Sequence, residues 1–176
     1  RDGEPGFAIA ALALLNGGLF PESHRARPIQ KLLASPLGPL LAPLSSRRTF
    51  ERNLRAIAGA VPPSAEELDA MWTLASRDGG IRVLPGLLGY IAERRAHRAR
   101  WVGALVAAPM PVRLIDGLAD PVSGAHLVAR YRELVPHPDV VELPGVGHYP
   151  QLEAPAAVLD AVTTFLARAG CATTAP

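Results

Sequence analysis

Two strand-turn-helix units in the last third of the chain constrain its fold most strongly. Each begins with a short apolar run, continues through a turn that carries an ionisable side chain, and ends in a helical pattern. The first turn carries Asp120, and the second carries His148. The predicted elements are strand 112–116, helix 121–135, strand 140–143 and helix 151–168. Because connections between parallel strands are almost always right-handed crossovers, this order predicts an α/β fold with a parallel sheet.

A third apolar run, residues 7–15, is typical of a strand that is buried in such a sheet. A secretory signal is not favoured, because Asp2 and Glu4 spoil the basic start that this kind of signal needs. The run is also too short to span a bilayer, so no transmembrane segment is expected. Asn16 and two glycines follow as an exit loop, where Asn16 could orient a ligand or bond the loop backbone.

Residues 19–108 carry helical patterns that Pro and Gly interrupt, with no convincing strand among them. Ser64 and Glu67 have the spacing of a capping box at the start of one helix. A helical insertion of this length between two sheet strands is typical of a lid or cap. The patterned stretches are 27–33, 37–44, 46–58, 64–76, 86–95 and 97–106. The predicted organisation is a partial core of 1–18 and 109–170, a helical cap of 19–108, and a flexible tail of 171–176.

Composition argues against several kinds of partner. The formal net charge is only +2, and the arginine clusters around Arg48 and Arg95 are typical of solvated helix faces, so no nucleic-acid partner is expected. Cys171 is the only cysteine, which excludes an internal disulfide and fits the cytoplasm. No Cys or His pair has the spacing of a structural zinc site, and we expect neither a metal nor a cofactor. The bias towards Ala, Arg, Pro and Gly indicates a bacterial source.

His148 is the candidate general base. It follows a strand end and a Gly-x-Gly turn, and ligands of open parallel sheets bind outside the carboxyl ends of the strands. An imidazole titrates near neutral pH, which suits proton transfer. We expect Asp120 to orient this imidazole, although an Asp before Pro121 is also a normal helix N-cap. Asp116 is the rival acid, because it lies nearer the end of its strand.

The remaining candidates are weaker. Trp101 and Tyr90 are candidate substrate-binding residues, although aromatic side chains at helical spacing more often belong to a core. No serine lies in the G-x-S-x-G pattern of a nucleophile elbow, and Ser123 sits at a helix start, where the strained turn of an elbow cannot form. The chain therefore offers a base and an acid without a recognisable nucleophile.

The stretch Gly-His-Tyr-Pro-Gln-Leu-Glu-Ala-Pro at 147–155 resembles the His motif of α/β-hydrolases of the epoxide hydrolase and haloalkane dehalogenase type. Two further stretches, 14–25 and 100–105, resemble bacterial relatives of the mesoderm-specific transcript protein, a member of that branch. The resemblance implies a mostly parallel sheet, an inserted helical cap and a covalent mechanism. It also implies that Asp120 is the triad acid, that His148 activates water, and that the nucleophile, usually an Asp, lies in an elbow before strand 7–15.

The sequence therefore predicts the C-terminal part of an α/β-hydrolase that acts on a small organic substrate, such as an epoxide, a haloalkane or an ester. The nucleophile is expected upstream of these residues, so the chain alone is expected to be inactive. The alternative is a truncated or pseudo-hydrolase that acts as a binding or association module. An exposed sheet edge beside strand 7–15 would then favour self-association.

Overall fold

One parallel sheet of three strands forms the centre of the structure, a computed structural model that describes residues 6–171. The strands are β1 (Leu12–Leu15), β2 (Val112–Gly117) and β3 (Asp139–Leu143). They lie in the order β1-β2-β3, and both pairs are parallel. The predicted parallel sheet is confirmed.

Strand β1 is shorter than the predicted strand 7–15, because the segment before β2 contains prolines that end the hydrogen-bonded pairing. Leu12 pairs with Val112, and the Leu12 N–H donates to the Pro111 carbonyl over 3.0 Å. Pro109 and Pro111 have no N–H to donate, so the pairing cannot continue towards residue 7. Residues 7–11 are therefore not part of the strand.

Ten helices accompany the sheet in the described part of the chain. Seven lie between β1 and β2: α1 (Pro28–Leu33), α2 (Gly38–Leu41), α3 (Arg47–Arg55), α4 (Ala65–Ser76), α5 (Leu84–Leu87), α6 (Tyr90–Ala96) and α7 (Arg98–Val106). The others are α8 (Ala125–Leu134), which joins β2 to β3, and α9 (Pro150–Glu153) and α10 (Pro155–Arg168), which follow β3. Short 3₁₀ segments occupy Ala42–Leu44 and Arg77–Val83. The predicted helical character of the segment between β1 and β2 is confirmed.

Local hydrogen bonds and prolines set the helix boundaries. The predicted capping box of α4 is present: Ser64 Oγ accepts the Glu67 N–H, and the Glu67 carboxylate accepts the Ser64 N–H. The helix predicted from residue 121 begins only at Ala125, because residues 121–124 form a turn. The helix predicted over 151–168 is divided into α9 and α10 ahead of Pro155, which disfavours helical geometry in the residue before it. Of the predicted tail, only Cys171 falls within the described residues.

The core lies on both faces of the sheet. Leu114 of β2 packs in one buried cluster with residues that include Leu127 of α8 and Val102 of α7. Its neighbour Ile115 points to the opposite face and packs in a second cluster with Val158 of α10. Side chains alternate along a strand, so a strand covered on both faces must be apolar at successive positions. This packing fixes the carboxyl end of β2, from which Asp120 follows.

Asp116 is the exception in this core. Its side chain is completely buried, and neither carboxylate oxygen has a hydrogen-bond partner among the described residues. Burial raises the pKa of the Asp116 carboxyl to about 8, and the nearby charges of Asp120 and Glu142 act in the same direction. The folded chain therefore holds a proton on Asp116 that the unfolded chain releases at about pH 4.

This difference predicts a pH-dependent stability. Between about pH 4 and the folded pKa of about 8, the folded state binds one more proton than the unfolded state, so the free energy of unfolding falls as pH rises. The contribution of Asp116 is at most about 1.4 kcal/mol per pH unit. Urea unfolding of Asp116→Asn should show a shallower fall between pH 5 and pH 8 than the wild type. Asp160→Asn, at an exposed position, is the matched control, and an equal slope in both variants would contradict the buried neutral acid.

Candidate active site

The two residues predicted to carry the chemistry meet at the carboxyl edge of the sheet. Asp120 lies in the turn after β2, and His148 lies in the turn after β3. Carboxyl ends of parallel strands share one edge, and there the His148 Nδ1 lies 2.7 Å from the Asp120 Oδ2. The predicted contact is present, and the rival acid, Asp116, does not make it. Since Nδ1 faces the carboxylate, Nε2 is the ring nitrogen left to exchange a proton with a reacting molecule.

Asp120 is buried, yet it is surrounded by hydrogen-bond donors. Its carboxylate accepts from the Val122 N–H at 2.7 Å, the Ser123 Oγ at 2.8 Å and the Asn16 Nδ2 at 2.9 Å. Burial is the largest influence on the pKa of Asp120 and would raise it. The hydrogen bond and charge of His148, together with the other donors, outweigh burial and lower that pKa to about 2. Asp120 is therefore ionised near neutral pH and can hold the imidazole through its Nδ1–H.

Asn16 supports this arrangement from the end of β1. Its Nδ2 donates to Asp120 and, over 3.4 Å, to the Gly147 carbonyl, while its Oδ1 accepts the Gly117 N–H at 2.9 Å. The residue is buried and has a φ of 41°. The side-chain amide is thus used in bonds that join the ends of all three strands. This geometry favours the backbone-bonding alternative, and the ligand-orienting role of Asn16 stays a prediction.

Glu153 is a site residue to which the sequence analysis gave no role. Its Oε2 accepts the N–H groups of Gly59 and Gly147, both at 2.7 Å, and its Oε1 accepts the Tyr149 N–H at 3.1 Å. The carboxylate therefore fixes the main chain on both sides of His148. The sequence held no signal for this role, because an acid in the first turn of a helix is favoured by the helix dipole and needs no further partner.

Main-chain hydrogen bonds also join the helical segment between β1 and β2 to the His148 loop. The His148 N–H donates to the Ile57 carbonyl at 2.9 Å, and the Ala60 N–H donates to the Gly145 carbonyl at 2.7 Å. A Cβ on Gly59 would lie 2.0 Å from the Gly145 oxygen, so no larger residue fits there without moving the backbone. Residues 57–60, which follow α3, and residues 145–148 therefore form a main-chain seam.

The predicted substrate-binding aromatics lie elsewhere. Tyr90 and Trp101 line a cavity of about 590 Å³ beside β1, and neither His148 nor Asp120 belongs to its walls. His148 instead lines a cavity of about 180 Å³ with side chains that include Ile29 of α1 and Leu54 of α3. The structure does not bring Tyr90 and Trp101 to the cavity that His148 lines, so their role in binding substrate stays a prediction.

Residues 6–171 offer neither a metal centre nor a membrane-spanning helix. No group of three or more His, Cys, Asp or Glu side chains there could hold a metal ion. None of the helices there has the length and apolar character that crossing a membrane requires.

The chain matches the alpha/beta hydrolase family model over residues 4–161. It belongs to the alpha/beta hydrolase family. A relative in Mycobacterium tuberculosis that carries the name hydrolase LipZ is 43% identical over 166 residues, which are 94% of this chain and 58% of LipZ. The mesoderm-specific transcript protein of mouse is 38% identical over 163 residues, which are 90% of this chain and 49% of the mouse protein.

Solved structures show the same alpha/beta hydrolase fold. A loop variant of the haloalkane dehalogenase DbeA from Bradyrhizobium elkanii superposes with a TM-score of 0.69 at 19% identity, covering 92% of this chain and 60% of the dehalogenase. The chain thus spans between about half and three fifths of the length of these proteins. The family predicted from the His motif is confirmed.

The role of Glu153 can be tested by Glu153→Gln. The glutamine offers one acceptor oxygen and turns an N–H group towards at least one backbone donor, so the free energy of unfolding should fall by about 1–3 kcal/mol. Amide hydrogen exchange at Gly59 and Gly147 should accelerate together. Glu66→Gln, at an exposed position of α4, is the control. Unchanged protection at both glycines would contradict the proposed role of the Glu153 carboxylate in holding their N–H groups.

Proposed function

We propose that this chain supplies the acid and the base of a hydrolase triad, with His148 as general base and Asp120 as the acid that orients it. The proposed reaction is hydrolysis of a small organic substrate of the epoxide, haloalkane or ester type. The observation that carries the proposal is the 2.7 Å contact between the His148 Nδ1 and a buried Asp120 carboxylate. Family membership and the likeness to a haloalkane dehalogenase support it.

The geometry suits the second half of a covalent mechanism. Attack by a Ser or an Asp nucleophile would leave an ester intermediate. Water would then bond through its oxygen to the ester carbonyl carbon while its proton passes to the His148 Nε2. The bond from that carbon to the departing oxygen breaks, and the proton moves from Nε2 to that oxygen. Asp120 holds the ring and stabilises the imidazolium throughout.

We also propose that the nucleophile and the oxyanion donors come from outside these 176 residues, since no elbow motif occurs in the sequence. The core would comprise 1–18 and 109–170, and the helices of 19–108 would form a cap over His148. The single cysteine supports the cytoplasmic location expected from the sequence.

One observation favours the alternative of an association module. Within the described residues, β1 pairs only with β2 and presents its other edge unpaired. Unpaired strand edges are templates for pairing with another chain. Concentration-dependent self-association in sedimentation experiments, together with failure of both tests below, would support this alternative.

The first test reads the tautomer of His148 in the chain itself. Imidazole ¹⁵N spectra near neutral pH should place the proton of the neutral ring on Nδ1, where the carboxylate holds it. In Asp120→Asn the amide N–H₂ can face Nδ1, which would move the proton to Nε2. Asp160→Asn should leave the spectrum unchanged. An Nε2–H tautomer in the wild type would contradict the assignment of His148 as base.

The second test measures hydrolysis. The chain alone should turn over ester, epoxide and haloalkane substrates no faster than buffer does. A fusion to the residues of LipZ that lie outside the match should gain activity, which His148→Ala or Asp120→Asn should lower by about 10³-fold or more. His137→Ala, at an exposed histidine, is the control. A folded fusion without activity, or activity that survives His148→Ala, would overturn the proposed role.

A further inference from the structure

The cavity beside His148 is small and mostly apolar. Its volume is about 180 Å³, and its walls come from α1, α3, the 3₁₀ segment after α4, and the core. Apolar lining residues include Ile29, Phe50, Leu54, Ile57 and Ile81. A dry apolar cavity of about 150 Å³ accepts a molecule the size of benzene. The space next to the proposed base therefore suits one apolar group of about that size.

A second hollow adjoins this cavity and has a different character. Its volume is about 300 Å³, and it shares Arg27, Ile29, Thr49 and Asn53 with the first space. Arg52 of α3 lines only the second hollow. His148 and the apolar side chains therefore line the first space, and the neighbouring hollow adds Arg52 to the shared Arg27.

Some arginines of the helical segment are already held by acidic side chains. Arg47 pairs with Glu51 and Asp69, and Arg98 pairs with Glu22. Within residues 6–171, neither Arg27 nor Arg52 forms an ion pair with an acidic side chain, and the side-chain amide of Asn53 between the two spaces makes no hydrogen bond. Guanidinium groups match carboxylates in shape and charge, and both arginines face one hollow.

We propose that the ligand of this site is an amphipathic carboxylate. Its apolar group, about the size of benzene, fills the cavity beside His148, and its carboxylate binds Arg27 and Arg52, with Asn53 in reach of the connecting atoms. The inference that this ligand is a substrate rests on the proposed hydrolase function, and it places the bond to be hydrolysed at the His148 end of the apolar group. The binding itself requires no catalysis.

The test is a binding measurement in the chain carrying His148→Ala, which removes the proposed base. Methyl-labelled protein is titrated with 3-phenylpropionate and with its uncharged analogue, 3-phenylpropionamide. Methyl signals of Ile29, Leu54 and Ile57 should shift on saturation, while that of the exposed Leu159 on α10 should not. The carboxylate should bind about fivefold more tightly than the amide at low salt, and salt should reduce this preference.

Variants assign the charge preference to the two arginines. Arg27→Gln with Arg52→Gln should abolish the preference for the carboxylate while retaining binding of the amide. Arg48→Gln with Arg168→Gln changes the net charge equally at exposed positions and should keep the preference. Equal affinity for both probes in the His148→Ala chain, or a preference that survives the Arg27 and Arg52 changes, would overturn the anionic end. Absence of shifts at the three cavity methyls would overturn the apolar end.

The outcomes separate this inference from the proposed function. Binding with the expected preference, combined with the wrong His148 tautomer or an inactive fusion, would leave a carboxylate-binding site without hydrolase chemistry. Hydrolysis without this binding preference would leave the triad standing and remove the substrate assignment.

Discussion

The site depends on a carboxylate that stays ionised although it is buried. Removing the Asp120 charge from water is costly, and the cost is offset only because the donors around it are close and correctly directed. Asn16 comes from the end of β1, Val122 and Ser123 from the turn after β2, and His148 from the turn after β3. One buried charge therefore sets the relative positions of three strand ends, and the position of the His148 imidazole follows from it.

A second carboxylate, Glu153, positions the helical segment, as Asp120 positions the strand ends. It accepts main-chain N–H groups from the His148 loop and from Gly59, so two regions distant in sequence share one acceptor. Asp116 shows the opposite outcome. It is buried without donors, and its pKa rises to about 8. The three acids differ because of the groups that face them, since their intrinsic chemistry is nearly the same.

Local patterns in the sequence were sufficient to predict the strands that lead to the site and the contact between Asp120 and His148. Each of those residues follows an apolar run at a turn, and parallel strands bring such turns to one edge. The end of β1 was not predictable from its own residues, because Pro109 and Pro111 of the neighbouring segment limit its pairing. The bonds of Asn16 to Asp120 and of Glu153 to Gly59 span 104 and 94 positions, so no local pattern contains them. For the same reason, the sequence could not show that Tyr90 and His148 line different cavities.

The seam between residues 57–60 and 145–148 has a mechanical consequence. With no side chain between Gly59 and Gly147, the two backbones are in direct contact, and three hydrogen-bond acceptors hold them together. A displacement of the chain after α3 therefore also displaces the loop that carries the His148 imidazole. Helix α1 has no such fastening to the His148 loop in the described residues. The helical segment is thus fixed at the end next to His148, whereas α1, on another wall of the same cavity, is not hydrogen-bonded to that loop in the described residues.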